Sequence, residues 1–125
     1  MIPAYLAALS NGGRRMDSRL LWGTVEMLIL EVVSHAPTYG YEIAQTVCGR
    51  SRGYFELKEG SLYPALHRLE RQKLLSSFWR EIDGRRRKYY KLTLSGQKAL
   101  AARKQEWTSF ATGVQGVLGS AMQSV

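Results

Sequence analysis

The chain has 125 residues, 45% of them hydrophobic, enough for one ordinary domain with a packed core. A single cysteine, Cys48, excludes an intramolecular disulfide and any multi-cysteine metal site, and points to a reducing, cytoplasmic setting. Eighteen Lys and Arg against ten Asp and Glu give a formal charge of +8, which suits a polyanionic partner, nucleic acid before membrane.

Residues 1–15 hold an apolar run from Ile2 to Leu9, with Arg14 and Arg15 after it, the reverse of a secretory signal. They are expected to form a loosely ordered extension, with Met16 the more natural start. From Arg19 to His35 the pattern is helical. Leu21, Val25, Leu28 and Val32 share a stripe, and Trp22, Met27, Ile29, Leu30 and Val33 cover much of the rest. A helix apolar nearly all round is buried on more than one side. In a chain this small the second side is expected to meet another subunit. Glu26 and Glu31 break the run, so it falls short of the ~18 apolar residues of a membrane span.

His35-Ala36-Pro37 ends this helix, because the residue before proline avoids helical angles. Thr38 offers an N-cap to a second helix from about Tyr39 to Gly49, with Ile43, Ala44, Val47 and Cys48 inward. Ser51-Arg52-Gly53 is turn chemistry, and Phe55 and Leu57 are briefly extended. The segment Gly60 to Lys73 is expected to be the third helix, with Ser61 as its cap and Pro64 in its first turn. Leu62, Leu66 and Leu69 fall on one side; Pro64, His67, Arg68 and Arg71 fall on the other. Such a helix docks with one face and presents a cationic one.

Ser76 to Ile82 is rich in β-formers, with Trp79 read as core, and Asp83-Gly84 is a strong hairpin signal. Arg85-Arg86-Arg87-Lys88 loads the tip and return limb, and Tyr89 and Tyr90 read as sheet packing. Between His67 and Lys91 nine cations stand against three anions. Most of the net charge therefore sits in one fifth of the chain. The last helix opens at Thr93 or Ser95 and reads to about Leu118. Leu100, Trp107 and Val114 repeat along it, widened by Phe110, Ala111, Val117 and Leu118, a seam that calls for a partner helix. Gly113, Gly116 and Gly119 are expected to fray its end, before a disordered tail near Val125.

The fold class expected is mostly α with a small β-hairpin. It is a winged helix-turn-helix over residues 16–93, followed by a long C-terminal dimerisation helix over 94–125. His35 and His67 stand far apart with no paired carboxylate or nucleophile beside them. No Gly-rich phosphate loop or metal spacing occurs, so no enzyme, cofactor or metal is expected.

Three motifs, in order and at matching spacing, carry a resemblance over roughly Leu20 to Leu118. They are Pro37-Thr38-Tyr39-Gly40-Tyr41-Glu42-Ile43, then Glu59-Gly60-Ser61-Leu62-Tyr63-Pro64-Ala65-Leu66-His67-Arg68-Leu69-Glu70, then Gly84-Arg85-Arg86-Arg87-Lys88-Tyr89-Tyr90-Lys91-Leu92-Thr93 with Gly96. The chain resembles the PadR family of bacterial transcriptional regulators, the short-tailed subclass with a single C-terminal helix. The resemblance implies a homodimer of winged domains that represses promoters, its C-terminal helix packed on the partner subunit. In short-tailed members that sense planar drugs, a tryptophan of that helix lines a pocket at the dimer centre. Trp107 stands at the matching place.

The expected contacts to double-stranded DNA are Ser61, Tyr63, Pro64, His67, Arg68 and Arg71, with Arg85, Arg86, Arg87 and Lys88 on the wing. Arg68 has the alternative of pairing with an acidic neighbour. Tyr39 and Tyr41, beside a helix N-terminus, either add a hydrogen bond to phosphate or pack in the core. Leu21, Val25, Leu28, Leu100, Trp107, Phe110 and Val114 are expected at the dimer seam. Trp107 packs there or also stacks on a small aromatic effector. The function expected is a dimeric repressor on an inverted-repeat operator. A winged docking module for an acidic protein, or a general nucleic-acid coat, competes with it.

Overall fold

The computed structural model describes residues 18–119, with side chains from residue 23 onward. Residues 1–15, the tail near Val125, and the side chains of Leu21 and Trp22 lie outside that description. The described residues form four helices and a three-stranded antiparallel sheet. In chain order they are α1 (Ser18–His35), β1 (Thr38–Tyr39), α2 (Gly40–Arg50), α3 (Glu59–Arg71), β2 (Leu75–Ile82), β3 (Arg85–Leu92) and α4 (Leu94–Leu118). The strand order is β1-β3-β2.

The core lies where α1, α3 and the base of the sheet meet. Val25, Ile29 and Leu30 of α1 are sealed off, together with Ile43 of α2, Leu62, Ala65, Leu66 and Leu69 of α3, and Leu75 and Tyr90 of the sheet. Val25 and Leu100, expected at a subunit seam, belong to this core instead, at 0% and 7% exposure. An apolar helix face does not say whether it meets its own domain or another. Leu28 is half-buried against the same core.

Thr38 does not cap α2. Thr38 and Tyr39 form a short strand opposite Tyr90 and Tyr89, and Tyr39 is the N-cap, extended at φ −117 and ψ 168, without a side-chain cap bond. Gly40 opens α2 because the Tyr63 ring fills the space a Cβ would need, its hydroxyl 2.6 Å from that position. Nor does Ser61 cap α3. The cap lies three residues earlier, at Lys58, whose carbonyl accepts from the Ser61 and Leu62 N–H groups. An acidic Glu59 in the first turn suits the positive end of the helix dipole. Pro64 therefore lies inside α3 rather than in its first turn. There it cannot donate to the Gly60 carbonyl.

The wing forms as its turn residues dictate. Ile82 pairs with Arg85, and both intervening residues are left-handed, Asp83 at φ 52 and Gly84 at φ 78, the two-residue turn that matches strand twist. The strands outrun the body, and β2 passes from buried at Leu75 to exposed from Trp79 onward. Trp79, read as core, is consequently 57% exposed. Thr93 caps α4, its hydroxyl accepting from Gly96 N–H at 2.9 Å and donating to the Lys73 carbonyl at 2.7 Å. Gly96 is required there, since a Cβ would drive into the Leu74 carbonyl oxygen.

Candidate nucleic-acid interface

The outward face of α3 carries Pro64, His67 and Arg71, all exposed, with Tyr63 at its edge at 37% exposure. Ser61 is half-buried. Arg68 departs from the expected face. It flanks buried Ala65 and turns toward α1, where its Nε donates to Glu26 Oε2 at 2.7 Å. The acidic-neighbour alternative is the one the fold adopts.

The other flank of α3 is fastened to the wing. Glu70 accepts from the Ser77 hydroxyl and pairs with Lys88 at 3.4 Å. The Ser77 hydrogen bond, helped by Lys88, holds the Glu70 carboxyl below its ordinary range. Lys104 does the same for Glu31, which also bonds His35 at 3.0 Å. Burial pushes the Tyr90 phenol up to about 12, so it stays neutral beneath the wing.

A pH dependence follows from the two carboxylates. Their depressed folded pKa values contribute stability that is complete above the ordinary value of 4.5 and is lost as pH falls through the lower folded values. Urea midpoints should therefore hold from pH 7 to about 5 and drop below 4.5, with a smaller drop in Glu70→Gln. An equal drop in that variant would mean that Glu70 contributes nothing to acid stability.

The basic run is not a set of loose side chains. The Arg86 guanidinium lies 4.6 Å from the Trp79 ring centre, and that of Arg87 lies 4.5 Å from Tyr39. Arg80, which sequence reasoning passed over, sits 4.6 Å from Tyr89. Cation–π contact of this kind orders a long side chain while leaving its donors free. Arg85 stands exposed at the tip. Two of these clamps, Arg86 with Trp79 and Arg80 with Tyr89, stand diagonally across the hairpin that the sequence predicts, while the third reaches Tyr39 outside it.

Between α3, the start of α2 and the wing lies a cleft of about 590 Å³. Tyr39, Tyr41, Tyr63, His67, Arg87 and Lys88 line it, and among the described residues no carboxylate does. It gathers phenol hydroxyls and cations from four elements, β1, α2, α3 and β3, and Tyr41 is 62% exposed beside the α2 N-terminus. Such donors suit phosphate oxygens. Among the described residues no group of three or more His, Cys, Asp or Glu could hold a metal ion. No described helix is long and apolar enough to cross a membrane.

A helix-turn-helix whose second helix shows a cationic face, next to a basic two-stranded ribbon, defines a winged-helix DNA-binding protein. The family described as transcriptional regulator PadR-like matches residues 29–102. The transcriptional regulator Rv3488 of Mycobacterium tuberculosis is 36% identical over 87 residues, 70% of this chain and 81% of that one. A PadR family transcription regulator from Clostridium difficile is 40% identical, with a TM-score of 0.66 over 77% of this chain and 98% of its own. A PadR-like regulator from Bacillus cereus is 32% identical, with a TM-score of 0.71 over 82% and 98%. The chain belongs to the PadR-like family of transcriptional regulators. It is a DNA-binding regulator of transcription, not an enzyme.

Proposed function

We propose that the protein is a cytoplasmic homodimeric repressor that binds an inverted repeat in double-stranded DNA. The exposed face of α3 enters the major groove, and the wing and the cleft beside it grip the backbone. The observation that carries this reading is the cleft itself, where Tyr39, Tyr41, Tyr63, His67, Arg87 and Lys88 converge, with Lys88 the one cation among them paired to a carboxylate, that of Glu70. Dimerisation is supported by α4, where Trp107, Phe110, Val114, Val117 and Leu118 are 40–87% exposed. Soluble monomers rarely tolerate a contiguous apolar stripe of that size.

A small aromatic effector has a place in this reading. Met27, Arg103, Trp107 and Phe110 border a cleft of about 400 Å³ between α1 and α4, with the Trp107 and Phe110 rings 5.9 Å apart. With Arg68 turned inward, base reading falls to His67 and Arg71. His67→Ala should cost about 1–3 kcal/mol on the preferred site and less on random duplex. Competition between promoter and random DNA measures both. Equal losses would reduce α3 to a backbone contact, and an absence of any preferred site would favour the general coat or the acidic docking partner.

A further inference from the structure

Glu26 is 7% exposed, an unusual setting for a carboxylate. Its neighbours in sequence are Val25, which is fully buried, and Met27, which packs on the core. Its two oxygens serve two other helices. Oε2 accepts from Arg68 Nε of α3 at 2.7 Å, and Oε1 accepts from Arg103 Nη1 of α4 at 3.3 Å. Replacing such a buried ion pair by well-packed apolar side chains is often neutral or stabilising. Stability alone therefore gives little reason for a glutamate here.

What an ion pair adds is direction. Leu62, Leu66 and Leu69 hold α3 to the core through apolar contacts, which resist separation more than rotation. Polar clasps stand on both flanks of its outward face: Glu26 with Arg68 on one side, Glu70 with Ser77 and Lys88 on the other. Hydrogen bonds weaken steeply off their axis, so two such clasps fix the roll of the helix. Arg68 adjoins His67 in the chain, and Arg71 follows one turn later.

We propose that Glu26 is a positioning residue for DNA reading, setting the roll of α3 through Arg68 while Arg103 ties the same carboxylate to α4. This rests on α3 being the reading helix. Glu26 also borders the cleft shared by Arg103 and Trp107, so one residue joins the wall of that cleft to the reading helix.

The test uses the full chain and a site selected by the wild type from random duplexes. Two variants are compared: Glu26→Gln, and Glu26→Leu with Arg68→Met and Arg103→Met, which replaces the ions by apolar contact. Affinities for the selected site and for random DNA are measured over a salt series, well below each melting midpoint. Both variants should keep the random-DNA affinity and its salt slope, and lose roughly tenfold or more of the preference for the selected site. Should either folded variant keep the full preference, the positioning role is overturned. A salt slope lowered by roughly one in the triple variant would overturn it too, by making Arg68 or Arg103 a direct phosphate contact. His67→Ala is the control on the parent reading. If it leaves the preference intact while Glu26→Gln does not, it is the α3 reading that fails, and the positioning role falls with it.

Discussion

Replacing Trp107 and Phe110 together by glutamate should yield a folded monomer whose operator affinity is lower by about a hundredfold or more. The two rings lie side by side on α4, 49% and 55% exposed, and neither belongs to the buried core. Neither substitution touches the buried core residue of α4, Leu100, so the winged body should survive. Cutting the chain after Thr93 is a poorer test, because it removes Leu100 from the core along with the seam. In the proposed dimer each reading head raises the local concentration of its twin on the second half-site. Separating them removes that advantage while every DNA-facing residue stays in place. Sedimentation and operator binding measure the two effects together. A wild-type chain that sediments as a monomer at micromolar concentration with full operator affinity would sink both the seam and the inverted repeat.

The wing should behave differently. Arg86→Ala with Arg87→Ala is expected to weaken specific and random DNA binding alike. The slope of log K on log salt should fall by about 1.8, roughly 0.9 for each phosphate no longer neutralised. Arg86 and Arg87 point to opposite faces of the ribbon, toward Trp79 and Tyr39, so together they sample both of its sides. Trp79→Leu separates holding from touching. It removes the ring under Arg86 but no charge, so affinity should drop while the slope stays. An unchanged slope in the double arginine variant would make those side chains a solvated charge run without phosphate contacts.

Much of this fold can be read from local rules. Asp83-Gly84 specifies the turn, and Thr93 three residues before Gly96 marks the start of α4. The spacing of Leu62, Leu66 and Leu69 orients α3. The misreadings share a cause, which is that local pattern does not know where the body of the protein ends. Trp79 obeys the alternation of a strand, but that strand has left the core by then. Val25 and Leu100 look like seam residues because apolar faces carry no label for their partner. Thr38 and Tyr39 make a strand too short for any period to reveal. Glu26 and Arg68 are 42 residues apart, and nothing near either announces the other. Ser61 is a good capping residue that the helix bypasses, because Lys58 and Glu59 already start it.

The continuity of α4 has a consequence for operator architecture. The helix is rooted in the winged body at Gly96 and Leu100 and runs unbroken past Trp107 to Leu118. Each residue of an α-helix adds about 1.5 Å of rise and about 100° of turn. In the proposed dimer, the stretch between Leu100 and Trp107 therefore acts as a gauge: its residue count sets both the distance and the phase between the two reading heads. Those quantities cannot drift independently. A change of one residue swings a head a quarter-turn or more out of register. A change of seven nearly restores the facing and displaces the head by about 10 Å, close to three base-pair steps at roughly 3.4 Å each. In such a regulator the reach and the facing of each head would change together, and an operator would have to match both.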